Sequence, residues 1–102
     1  MSNKPANKRS QINPKLVNDA LSLVRTKMHK RLDQMGWGTF SSTYEILGTI
    51  NGEVAEFADA IRSGTPTEIE NELSNIAMAC IFGIACIEAG TVDGEAGTKT
   101  KV

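Results

Sequence analysis

Cysteine, histidine and aromatic side chains are scarce in this chain. Its 102 residues include two cysteines, one histidine, one tryptophan, one tyrosine and three phenylalanines. With aromatics at 5%, a platform for stacking single-stranded nucleic acid is not expected. Cys80 and Cys86 stand six residues apart in one apolar run. On a helix they point about 120° out of register, which no disulfide tolerates, and no second metal-ligating cluster surrounds them. They read as small buried hydrophobes in a reducing, cytoplasmic compartment. An excess of one charge is missing too. Eleven Lys+Arg against twelve Asp+Glu leave a formal net charge of −1, so nothing pulls the whole chain toward a nucleic acid polymer or an anionic membrane. No apolar run approaches the ~20 residues of a bilayer span. The opening MSNKPANKRSQINPK lacks the hydrophobic segment of a secretory signal.

What is present is helical punctuation. Asn13 is a good N-cap, Pro14 suits the first helical position, and Gly36 stops the run. Between them Val17, Leu21, Val24, Met28, Leu32 and Met35 recur at three- and four-residue intervals. A second helix opens on the capping box Ser42 and Glu45, carries the stripe Leu47, Ile50, Val54, Phe57 and Ile61, and ends at Gly64. A third opens on Thr65, Pro66 and Glu68, carries Ile69, Leu73, Ile76, Cys80, Ile84 and Ile87, and ends at Gly90. Nothing reads as a strand, so the fold class is all-α. Residues 13–90 form one helical domain between a flexible basic arm (1–12) and a flexible tail (91–102).

The connections differ in kind. Ser63, Gly64 and Thr65 are so short a link that helices two and three must fold back as an antiparallel hairpin. The longer GWGTFSS link (36–42) either plugs the end of the bundle or lines a pocket. From Ile76 to Ile87 the third helix is apolar nearly all round, more than two companions can cover. The missing cover is most simply a second copy of the chain, giving a homodimer or, if two dimers join, a homotetramer.

Acidic residues fall where repulsion works against folding. Glu53 and Glu56 form an i, i+3 pair on one flank of the second helix, and Glu72 and Asn75 form another on the third. The first pair lies eleven and eight residues before Gly64, the second eight and eleven after it. In a hairpin both reach the same depth, roughly 12–17 Å from the turn. Three carboxylates and a carboxamide facing one another call for a counter-charge, and an all-oxygen set suits a hard cation such as Mg²⁺.

The segment ILGTINGEVAEFADAI, followed by EIENELSNIAMACI, resembles the all-α nucleoside triphosphate pyrophosphohydrolase superfamily, the MazG-like proteins. Their signature is E-x-x-E, a spacer, then E-x-x-D; here it reads Glu53-x-x-Glu56, fifteen residues, then Glu72-x-x-Asn75. The likeness covers roughly residues 42–90. It implies hydrolysis of a nucleoside triphosphate to monophosphate and pyrophosphate with Mg²⁺, or Mn²⁺, as cofactor. It also implies metal-ligand roles for Glu53, Glu56, Glu72 and Asn75, the three glutamates being the catalytic acids, or one of them orienting the attacking water instead. Asn75 replaces the family's final Asp and lowers the formal site charge from −4 to −3, which is expected to weaken metal binding. Asp59, one turn after Glu56, could restore that charge. For the phosphates, the first helix offers Lys27, Lys30 and Arg31 beside a surface His29, and Trp37 could stack on a base. The competing expectation is a catalytically impaired helical dimer that binds a nucleotide or other ligand.

Overall fold

The helix ends fall where the capping residues put them. In a computed structural model describing residues 9–93, the chain forms α1 (Pro14–Met35), α2 (Thr43–Ser63) and α3 (Pro66–Ala89), with no strand among the described residues. Asn13 accepts from the Lys15 N–H at the start of α1, and Ser42 accepts from the Glu45 N–H at the start of α2. Such caps contribute about 1 kcal/mol each. At α3 the capping box is complete: Thr65 accepts from the Glu68 N–H, and Glu68 accepts from the Thr65 N–H. The α2 box is redirected, because the Glu45 carboxylate accepts from Ser41 rather than Ser42. Gly36 and Gly90 close α1 and α3 at positive φ (100° and 79°), where a Cβ would be strained.

Burial centres on α3. Among the described residues the buried hydrophobic ones are Met78, Ala79, Cys86 and Val92, and the one buried polar residue is Ser74. α2 packs against α3 more extensively than α1 does. Ile46 sits over Gly83, where an added Cβ would come within 3.2 Å of its Cγ2, so a side chain at position 83 would push Ile46 back by a few tenths of an ångström. α1 is fastened to α3 by a polar staple. The Lys27 ammonium donates to Asn71 Oδ1 (2.6 Å) and to Ser74 Oγ (2.8 Å), and the Ser74 hydroxyl donates to the Asn71 backbone carbonyl (2.7 Å).

Several expected core positions lie elsewhere. Leu47, Val54 and Ile61 of α2 are exposed, and its half-buried apolar residues include Ile46, Ile50 and Phe57. Val17, Leu21 and Met35 of α1 are likewise exposed, as are Leu73, Ile84 and Ile87 of α3. Cys80 is exposed rather than buried; Cys86 is buried, and both thiols are free. The physical reason is shared: these helices are apolar over more than one face, so periodicity alone does not say which face the chain itself covers. α3 also meets the length and composition of a bilayer span, though the sequence shows no apolar run that long.

The packed unit extends past residue 90. Val92 is 4% exposed, the Asp93 N–H donates to the Ser41 carbonyl (2.7 Å), and its carboxylate accepts from the Thr43 N–H (3.0 Å). Residues 91–93 therefore belong to the domain and not to a loose tail. The expected arm at 1–8 and tail from 94 onward lie outside the described residues; residues 9–12 are exposed.

Candidate metal centre

α2 and α3 bring the three glutamates together. One carboxylate oxygen from each of Glu53, Glu56 and Glu72 lies within 4.8 Å of the other two. Glu53 and Glu72 are half-buried and Glu56 is exposed. Glu53 Oε1 is buried with no hydrogen-bond partner, and an orphaned carboxylate oxygen is costly to leave uncompensated. Glu56 shows the strain electrically. The negative charge of Glu53, then that of Glu72, pushes its carboxyl above the usual range; a hydrogen bond with Glu72 adds to this and the Arg31 charge opposes it. At the ordinary Mg²⁺ bond length neighbouring oxygens stand about 3 Å apart and opposite ones about 4.2 Å, so these side chains would close in slightly to share one ion. The all-oxygen donors and the orphaned atom fit one hard divalent cation.

Asn75 stands beside this cluster with its Nδ2 donating to Glu72 Oε1 at 3.3 Å. In this arrangement its amide orients Glu72. Asp59 lies outside the three-oxygen cluster and is ion-paired with Arg62 on its own helix, while lining an open cavity of about 320 Å³ with Glu56 and Glu72.

The cationic residues are divided by the fold. Lys27, Lys30, Arg31, Gln34, Asn71, Asn75 and Met78 line a cleft of about 240 Å³ that shares Asn75 with the acid side. Arg31 also reaches a smaller cavity of about 120 Å³ that contains Glu53, Thr49 and Asn75 among apolar walls. Lys27 is already committed to the staple with Asn71 and Ser74. Lys30 and Arg31 are exposed. Trp37 is not brought to the acids: it is 54% exposed, donates Nε1–H to Asp33 (3.1 Å) and leans on the His29 ring, centroids 5.7 Å apart.

Phe40 is the part of the 36–42 link that reaches inward. It meets the Phe82 ring edge to face at 5.5 Å, and its N–H donates to Cys86 Sγ (3.4 Å). Both rings line the smaller cavity, so this link plugs the end of the helices and walls a pocket at once. Thr49, Asn71 and Ser74 were not expected at a site, whereas Phe40 belongs to the link expected to plug the bundle or line a pocket. The available signal was positional: Ser74 and Asn71 lie on the Glu72/Asn75 side of the third helix. A groove of about 620 Å³ between α1 and α3 is lined mainly by apolar residues and touches none of the three glutamates.

Comparison with protein-family models, with curated proteins and with solved structures gives no match.

Proposed function

We propose that the chain is a divalent-metal-dependent hydrolase that splits a nucleoside triphosphate into its monophosphate and pyrophosphate. The observation that carries this reading is the convergence of Glu53, Glu56 and Glu72 from two helices onto one point, with a buried Glu53 oxygen left unpartnered. It is supported by a cationic cleft next to that point and by the resemblance of the two acidic segments to MazG-like proteins. We read α2 and α3 as the antiparallel hairpin that this family motif requires.

Glu53, Glu56 and Glu72 would hold Mg²⁺ or Mn²⁺, and Asn75 would fix Glu72 through its N–H. When bound, the ion supplies charge neutralisation at the phosphates and a lowered pKa for water. Arg31 and Lys30, from the other side of Asn75, receive the β- and γ-phosphates, while Lys27 holds α1 at the right distance through its staple to α3. Water attacks the α-phosphorus, a new P–O bond forms, the α–β bridging bond breaks, and pyrophosphate leaves into the cationic cleft. The chain's task is positioning and charge compensation, which is what phosphoryl transfer demands.

The test is pyrophosphate release across a panel of ribo- and deoxyribonucleoside triphosphates with Mg²⁺ or Mn²⁺. Turnover is expected, and Glu53→Gln or Glu72→Gln should lower it by about a hundredfold or more while helicity by circular dichroism is retained. Full turnover in either variant overturns the assignment. A second reading rests on Asn75: with three carboxylates instead of four, the chain binds nucleotide and metal without efficient turnover. A metal-dependent thermal shift with no pyrophosphate release would select it.

A further inference from the structure

Three features of the molecule meet at Asn75. Its amide bonds to one of the clustered glutamates, and its side chain lines both the cationic cleft and the cavity of about 120 Å³. The acids are assigned to the ion and the cleft to the phosphates, which leaves the cavity without an occupant. Its walls come from all three helices and the 36–42 link: Met28 and Leu32 of α1, Phe40, Thr49 of α2, and Ala79 and Phe82 of α3. Phe40 and Phe82 are half-buried after packing on each other, so aromatic surface is left for a third ring. Thr49, also half-buried, adds a hydroxyl to these apolar walls. Mostly apolar walls with a few placed polar groups are the ordinary make-up of a small-molecule site.

We propose that this cavity holds the nucleobase and selects pyrimidine over purine nucleotides, with the Thr49 hydroxyl bonding to the ring edge; the placement rests on the hydrolase reading for the position of the phosphates. Position supports a base as the occupant. Thr49 stands four residues from Glu53 on α2, and Ala79 four residues from Asn75 on α3. Both steps lead away from Gly64, so the middle of the cavity lies about 6 Å along the helices from the level of the acids. A ribose bridges such a gap between a base and its α-phosphate. Size decides which base. At interior packing density, about 0.75, the cavity holds roughly 90 Å³ of atoms, enough for one six-membered ring with its exocyclic groups. A fused second ring exceeds it. The polar groups that remain are few. Arg31 and Glu53 are taken by phosphate and metal, and Asn75 holds Glu72 with its N–H, so Thr49 is the hydroxyl available to a ring edge. The groove of about 620 Å³ has room for a purine but shares no lining residue with the acids or the cationic cleft. A base seated there is not continuous with phosphates at Arg31.

The test compares pyrophosphate release from CTP, UTP, ATP and GTP and their deoxy forms on the full chain with Mg²⁺. Calorimetry measures binding of the α,β-methylene analogues, which resist cleavage between the α- and β-phosphates. Pyrimidine triphosphates should show about tenfold or more higher kcat/KM, and their analogues about tenfold or more tighter binding, than the purine ones. Met28→Ala widens the cavity and should bring the two groups within about threefold of each other. Thr49→Val should raise KM for the pyrimidine triphosphates about five- to tenfold, the loss of one neutral hydrogen bond. Turnover with no base preference, or with purines preferred, overturns the pocket and leaves the hydrolase reading standing. Pyrimidine-selective binding without turnover does the reverse. Absence of turnover together with equal binding of all bases, or with no binding, overturns both. A wild-type preference retained in Met28→Ala overturns selection by size, and an unchanged KM in Thr49→Val overturns the role of its hydroxyl. If either variant fails to fold, the preference of the unaltered chain decides by itself.

Discussion

Asn75 donates a side-chain hydrogen bond to Glu72, with Nδ2 3.3 Å from Oε1. A donor thus occupies the place where a fourth carboxylate would complete the acidic motif. Asn75→Asp removes that donor and adds a negative charge to a cluster already in repulsion. Without metal, the variant should melt several degrees lower, the loss of one hydrogen bond alone being about 1 kcal/mol. With Mg²⁺ the order reverses: calorimetric titration should show about tenfold tighter binding, since ligand charge sets the affinity of such sites. Equal affinities would show that position 75 does not face the ion.

The glutamate cluster also makes stability depend on pH. Glu56 has its carboxyl raised by Glu53 and Glu72, so the fold favours its neutral form. Its contribution is present below the ordinary carboxylate pKa and is lost as pH rises through the raised value. In metal-free protein the melting temperature should therefore fall between mildly acidic and neutral pH because of this group. Glu56→Gln should flatten that portion of the curve and raise the melting temperature at pH 7. Mg²⁺ should restore stability at neutral pH, with a half-saturating concentration that falls as pH increases.

Arg31 and Trp37 separate two ideas about how substrate is held. Arg31 lines both cavities beside the acids, whereas Trp37 is engaged with Asp33 and His29. Arg31→Ala should raise KM for the triphosphate by about tenfold, roughly one charge-assisted contact. Trp37→Ala should leave KM within about twofold. Steady-state kinetics on both variants measures the contrast, and a larger effect at Trp37 would move the nucleotide past the C-terminus of α1, toward the 36–42 link.

Asp93 caps α2 from fifty residues away by accepting the Thr43 N–H, and it does so from a left-handed backbone conformation, φ 63°. Asp93→Ala should cost about 1–2 kcal/mol, from the lost cap and from a Cβ residue less tolerant of positive φ. Asp93→Asn keeps an oxygen and the turn tolerance, and should cost clearly less. Denaturant unfolding of the pair distinguishes capping from charge.

Helix limits were legible because they are local. Asn13, Ser42, Thr65, Gly36, Gly64 and Gly90 act on backbone groups within one turn of themselves, and the structure uses all six. The meeting of Glu53, Glu56 and Glu72 was legible too, since a short link and equal distances from Gly64 left little freedom. The packed face was not. Leu47 and Ile46 are adjacent and equally apolar, and it is Ile46 that lies over Gly83 of α3, a contact between residues 37 apart that periodicity does not show. Nor could spacing show that Lys27 would be held by Asn71 and Ser74, or that Asp93 would reach Thr43, because these pairs lie 44 to 50 residues apart.

α3 sets Glu72 and Leu73 next to each other on one stiff rod, the first half-buried among acids and the second bare. Turning that rod by a single residue to improve one side swings the other through about 100°. The two sides are geared together, so substitutions that re-tune either one must be compensated along the same twenty-four residues.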